Sequence, residues 1–173
     1  MSNVIEKYLT LYSEPEAKDL LASIQINSAC LGCYQHCLVI PVFQEKFSSV
    51  INVWRNLPKD VLIIIVANSY LTDDAQTAGL FDEFCKQSSI KKLTKNIFCL
   101  KKPQEKDILL IDRCHQSTII PRKNGVGLAR KIGTDIALAL IHKGIVLEPK
   151  IGVTDADVLL PSAYFEPKME PGD

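Results

Sequence analysis

Long hydrophobic runs are missing from this chain. The longest strongly apolar stretch, Val61 to Ala67, is far shorter than the ~20 residues a spanning helix needs. A basic-then-apolar leader is missing too, since the chain opens Met-Ser-Asn-Val-Ile-Glu-Lys. No signal peptide is read, and the expectation is a cytoplasmic protein with no membrane span. Charge of one sign is lacking: 20 basic side chains balance 20 acidic ones, and the few aromatics (7%) are scattered rather than interleaved with Lys and Arg. The footprint of a nucleic-acid binder is therefore absent. Internal repeats and low-complexity linkers are absent as well. What is present, 173 residues of which 47% are hydrophobic, suffices for one domain with a sizeable core.

The six cysteines do not form a disulfide framework, because no secretion signal accompanies them. Cys85, Cys99 and Cys114 are dispersed in apolar or strand-like contexts, where a free cysteine behaves as a small hydrophobe. Cys30, Cys33, His36 and Cys37 are four zinc-type ligands within one short segment. Structural zinc sites draw on two separated pairs, so reduced thiols near a core strand are the reading taken, with metal binding as the alternative.

Hydrophobic periodicity orders the elements. Ile5, Tyr8, Leu9 and Tyr12 share one helical face. A second helix starts at Ser13-Glu-Pro-Glu16, a capping-box spacing with Pro in the first turn, and buries Ala17, Leu20, Leu21 and Ile24. Residues 1–28 thus read as an N-terminal helical extension, and residues 29–173 as the main domain. Cys37 to Phe43 is a near-continuous apolar strand that ends about Pro41, since Pro cannot donate to a ladder. A helix carrying Phe47, Val50, Ile51 and Trp54 follows and closes at Leu57-Pro58. Val61 to Ala67 is the clearest buried strand, and a helix with Leu80, Phe81 and Phe84 comes after Asp73-Asp74. Asn96–Leu100 and Ile108–Asp112 are further strands, Cys114 to Lys123 a loop, and Gly125 opens a long helix burying Ala129, Ile132, Ile136 and Leu140. A last strand, Ile151 to Thr154, leads to Asp155 and Asp157, and the tail from Phe165 reads as frayed. Strands alternating with helices predict an α/β fold, a mostly parallel twisted sheet flanked by helices.

In such sheets ligands sit at the carboxyl ends of the strands, where polar clusters gather. Phe43 can pack on a nucleobase or belong to the core. Glu45 can accept from a ribose hydroxyl or serve as a first-turn acid favouring the helix dipole. Asn68 can read a base edge or cap the next turn. Gly125 and Gly127 open a helix whose N–H groups can face an anion, and Arg130 can reach a diphosphate or stand as a surface arginine. Asp155 and Asp157 can hold a hard divalent cation or be solvated acids of a turn. Two absences narrow the options. The third glycine of a dinucleotide fingerprint is missing, which disfavours a nicotinamide-dinucleotide domain. No basic glycine-rich loop follows the first strand, which disfavours a nucleotidyltransferase.

Val39-Ile-Pro-Val-Phe-Gln-Glu45, Asn124-Gly-Val-Gly-Leu-Ala-Arg130 and Thr154-Asp-Ala-Asp157, with Pro161 beyond, resemble in order the motifs of family-2 glycosyltransferases with a GT-A-type fold. The resemblance covers about residues 37 to 165. It implies a Rossmann-like nucleotide-binding half and a nucleotide-diphosphate sugar, often a uridine one, bound with Mg²⁺ or Mn²⁺. By carry-over Pro41, Phe43 and Glu45 line the base and ribose pocket, with Asn68 where that family has a base-reading acid. Arg130 sits near the diphosphate, Asp155 touches ribose or sugar, and Asp155 with Asp157 forms the metal site. The implied chemistry is transfer of the sugar to an unidentified acceptor, with inversion. The family's acceptor half and general base follow the acid pair, so the base is expected beyond residue 173 and the chain as the donor-binding part of a longer protein. A nucleotidyltransferase-like protein or a non-catalytic nucleotide-sugar-binding module are the alternatives.

Overall fold

The computed structural model describes residues 2–26, 31–115 and 117–166. The elements run α1 (Ser2–Leu11), α2 (Pro15–Ile26), β1 (His36–Val42), α3 (Phe47–Val53), β2 (Val61–Asn68), α4 (Ala75–Lys86), β3 (Ser89–Lys92), β4 (Ile97–Lys101), β5 (Ile108–Arg113), α5 (Gly125–His142) and β6 (Ile151–Val153). They build a six-stranded mixed sheet in the order β3-β4-β5-β2-β1-β6. The four strands β5, β2, β1 and β6 are parallel; β4 runs antiparallel to β5, and β3 antiparallel to β4. The chain is thus α/β, its sheet mostly parallel and flanked by helices. No helix among the described residues is long and apolar enough to cross a membrane.

Alternation along the central strands makes two cores. Cys37, Val39, Leu62, Ile64, Val66, Leu109 and Ile111 face α5 and the pair α1–α2. Leu38, Ile40, Val42, Ile63, Ile65 and Leu110 face α3 and α4. Both faces of β1 and β2 are covered, which explains their unbroken apolar runs.

The capping box expected at Ser13 does not form. The Ser13 hydroxyl donates back to Leu9 O (2.5 Å). Glu16 turns inward, accepting from Asn96 Nδ2 (3.2 Å) and facing the Arg113 guanidinium (3.5 Å). A buried partner outcompetes a local cap here because Glu16 is almost wholly out of water.

The winding order fixes where a ligand can enter. From β1 the chain steps outward through α3 to β2, and α4 leads on to the antiparallel pair and β5. α5 then crosses the opposite face to deliver β6 on the other side of β1. Strand order therefore reverses between β1 and β6, and a crevice opens at the carboxyl ends of strands on either side of such a reversal.

Candidate functional site

At that reversal β6 is short. It pairs only with Cys37, Leu38 and Val39, and Thr154 N makes the last bond, to Val39 O (3.1 Å). β1 continues to Val42, so its final residues overhang the gap. Val39 O points toward β6, and so would the N–H of residue 41, two positions on. Pro41 has no N–H, and no donor is stranded there. Its place inside a central strand is explained by the end of its neighbour; the residue itself is buried.

The turn after β1 is clamped from α4. Gln44 adopts a left-handed φ of 54°, and its N–H donates to Thr77 Oγ1 (2.9 Å) while Gln76 Nε2 donates to Gln44 O (2.5 Å). Thr77 in turn donates its hydroxyl and its N–H to Asp74 (2.7 and 3.0 Å), the N-cap of α4. Burial pushes the Asp74 carboxyl up, but the hydrogen bonds from Thr77, with Ser69 and Gln44, outweigh it and leave the group below its ordinary range. A depressed carboxyl stabilises the fold above its unfolded pKa of about 3.9, and the contribution is lost as pH falls through the folded value. Asp74→Asn keeps a capping oxygen and loses the charge, so it is expected to be less stable than the wild type at pH 7. In denaturant titrations the gap to the wild type should close below about pH 4; a gap constant with pH would remove the charge from the explanation.

This clamp places Phe43 outside both cores, half-buried and stacked on Tyr70 (centroids 5.3 Å, 27°). Arg122 lies over the Tyr70 ring, 5.6 Å from its centroid. Ile120 N donates to Ser69 O (2.8 Å), which ties the loop bearing Arg122 to the end of β2. Glu45, half-buried beside the turn, has no ion pair among the described residues. Asn68 is buried, and its amide, oriented to donate, reaches Val42 O (3.2 Å) and Val66 O (3.3 Å). It braces the ends of β1 and β2, so its donor is spent on backbone rather than on a base edge.

On the other side of the gap, Arg130 in the second turn of α5 donates to the Asp155 carboxylate. Gly125 opens that helix at φ 44°, a conformation glycine adopts without penalty. Asp155 and Asp157 diverge. Asp155 meets the α5 side, whereas Asp157, exposed, lines a groove of about 470 Å³ with Ser49, Asn52, Arg55 and Asn56. Asn56 Nδ2 and the bond from Leu160 N to Val53 O hold the post-β6 segment along α3. The groove offers hydroxyl and amide oxygens, the kind a hard divalent cation takes, together with the Arg55 guanidinium, which has no ligand atom and suits an anionic group instead. Asp155 is already neutralised by a guanidinium.

Of the zinc-type set, Cys30 lies outside the described residues. Cys33, His36 and Cys37 do not form one ligand cluster; His36 and Cys37 point to opposite faces of β1. His36 stacks on Phe165 (4.4 Å), and burial pushes the Cys37 thiol up to about 12. The one His, Cys and acid cluster among the described residues is Asp112, Cys114 and His115, where β5 ends. Burial first, then the Asp112 carboxylate, raises the Cys114 thiol well above its ordinary value, so as a free thiol it is a poor nucleophile at neutral pH.

Tyr70, Arg122 and this trio escaped the sequence reading. Tyr70, Arg122, Cys114 and His115 sit in loops with no periodicity and Asp112 near the end of β5; Tyr70 directly follows Asn68-Ser69, and Cys114 was read only as a small hydrophobe. In comparisons with protein-family models, curated proteins and solved structures, no match to this chain is found.

Proposed function

We propose that the chain is the nucleotide-sugar-binding portion of a metal-dependent glycosyltransferase with a GT-A-type fold, acting on a nucleotide-diphosphate sugar, with uridine the expected base. The single observation that supports it best is placement. Three motifs far apart in sequence, ending at Glu45, Arg130 and Asp157, follow β1, open α5 and follow β6, the elements that flank the strand-order reversal, and the Arg130–Asp155 pair joins two of them directly. In this reading Phe43 offers the outer face of the Phe43–Tyr70 stack to the base, and Glu45 accepts from ribose. Arg130 exchanges its carboxylate partner for the diphosphate, a two-pronged match that a guanidinium makes well. Asp157, joined by Asp155 once Arg130 has moved, holds Mn²⁺ or Mg²⁺. The cation supplies neutralisation of the pyrophosphate charge as the nucleoside diphosphate leaves.

The test is a calorimetric titration with uridine diphosphate and Mn²⁺. Asp157→Ala is expected to weaken the metal-dependent part on the order of tenfold, ~1.4 kcal/mol, while metal-free binding changes little. Equal affinities with Mn²⁺ in variant and wild type would remove Asp157 from the metal site. The Arg130–Asp155 pair also favours a second reading, a binding module without turnover, because an acid already neutralised has less call for a cation. Release of free nucleoside diphosphate from the sugar donor separates the two.

A further inference from the structure

At the end of β5, away from the β1–β6 gap, three different donor atoms come together. Asp112 Oδ1 lies 2.9 Å from His115 Nδ1 and 3.6 Å from Cys114 Sγ, and Sγ lies 3.7 Å from Nδ1. With ordinary zinc bond lengths a tetrahedral ion has ligand–ligand edges of about 3.3 Å for N–O, about 3.5 Å for S–O and about 3.6 Å for S–N. The observed triangle needs only its shortest edge opened by a few tenths of an ångström to become a face of that tetrahedron. We propose that Asp112, Cys114 and His115 form a Zn²⁺ site with its fourth position open to the neighbouring groove.

The surroundings supply what such a site requires. The Cys114 and His115 N–H groups (3.2 and 3.1 Å) and the Thr118 hydroxyl (3.2 Å) reach the same Asp112 Oδ1 and fix the carboxylate in place; a bound ion takes one of that oxygen's lone pairs from this set. Phe81 and His115 pack as a T-shaped pair (5.2 Å, 82°), which holds the imidazole plane. The open side gives onto a groove of about 410 Å³ lined by Thr72, Asp73, Asp74, Ala78, Cys114 and His115. Water or a ligand can reach a bound ion from there. The mixed sulfur, nitrogen and oxygen set suits a borderline ion rather than Mg²⁺ or Mn²⁺, which prefer oxygen alone. On coordination Nδ1 presents its lone pair, the imidazole proton moves to Nε2, and the thiol proton is released to solvent.

The site is tested on the full chain after chelation, with Co²⁺ as the optical probe and Zn²⁺ as competitor. One equivalent of Co²⁺ should give a thiolate-to-metal charge-transfer band that one equivalent of Zn²⁺ abolishes. Cys114→Ala should eliminate the band. His115→Ala, at a half-exposed position that the fold tolerates, should weaken Zn²⁺ binding by about 10- to 100-fold or more. Cys33→Ser should leave both unchanged. The proposal is overturned if no band forms at saturating Co²⁺, if His115→Ala binds Zn²⁺ as tightly as the wild type, or if the band disappears with Cys33→Ser. The first of those outcomes leaves the trio as a hydrogen-bonded turn cap. None of these readouts depends on nucleotide binding at the other site.

Discussion

Asp135→Ala is expected to lower the free energy of unfolding by about 2–4 kcal/mol. Asp135 is buried on α5 and accepts three bonds, from Tyr8 OH, Glu14 N and Lys131 Nζ, each at 2.8 Å. Lys131 also reaches Glu14 Oε1 (3.0 Å) and Tyr12 O (2.9 Å), so one carboxylate and one ammonium fasten the α1–α2 corner to α5. Burial depresses the Lys131 ammonium, but its bonds to Asp135 and Glu14 outweigh that and hold it above the ordinary lysine value. Breaking a buried pair by deleting one partner costs about 3–5 kcal/mol because the survivor is left uncompensated. Lys131 is partly exposed, so water compensates it in part, which lowers the figure. Asp135→Asn keeps one acceptor and should lose less. Urea unfolding checks both; a loss under about 1 kcal/mol for the alanine variant would mean that the corner is held by its apolar contacts alone.

The second large effect is at Gly133. A Cβ built there would lie 2.3 Å from Val39 Cγ1 and 3.3 Å from Val66 Cγ2. Val39 has little rotamer freedom with which to retreat, so α5 must lift off β1. Overpacking of this kind costs about 1–3 kcal/mol, against which alanine recovers up to about 1 kcal/mol of helix propensity. Gly133→Ala should therefore be destabilising on its own and restored by Val39→Ala, which vacates the space. If Gly133→Ala were more stable than the wild type, α5 would not be in contact with β1 at this point. The position bears on the site as well, because α5 carries Arg130 one turn earlier, against Asp155.

These two residues also mark the limits of what the sequence discloses. Runs such as Val61 to Ala67 and the stripe Ala129, Ile132, Ile136 announce a buried strand and a helix, because burial on two faces or one leaves a periodic trace. Partners distant in sequence leave none. Glu16 stands three residues after a serine like a capping-box acid, yet its partners, Arg113 and Asn96, lie 97 and 80 residues away. Ser89–Lys92 is exposed at every position, so β3 has no apolar alternation and owes its existence to the ladder with β4. Apolar runs carry no direction either, and the antiparallel sense of β4 was not readable from Asn96–Leu100. At the candidate site, strand ends and their acids were legible because chain order and turn residues mark them. The Phe43–Tyr70–Arg122 stack was not, because it depends on how an aperiodic loop folds back over the sheet, and the Asp112, Cys114, His115 trio, though local in sequence, lay where Cys114 was read as a small hydrophobe.

The most direct measurement is the titration of the wild-type protein with uridine diphosphate, in the presence and absence of Mn²⁺. The account predicts one saturable site per chain, tightened by the metal, with perturbed resonances or protected amides at Phe43, Glu45, Arg130 and Asp157. Saturation that ignores the metal, or no binding with or without it, would contradict a nucleotide-diphosphate site at the β1–β6 gap.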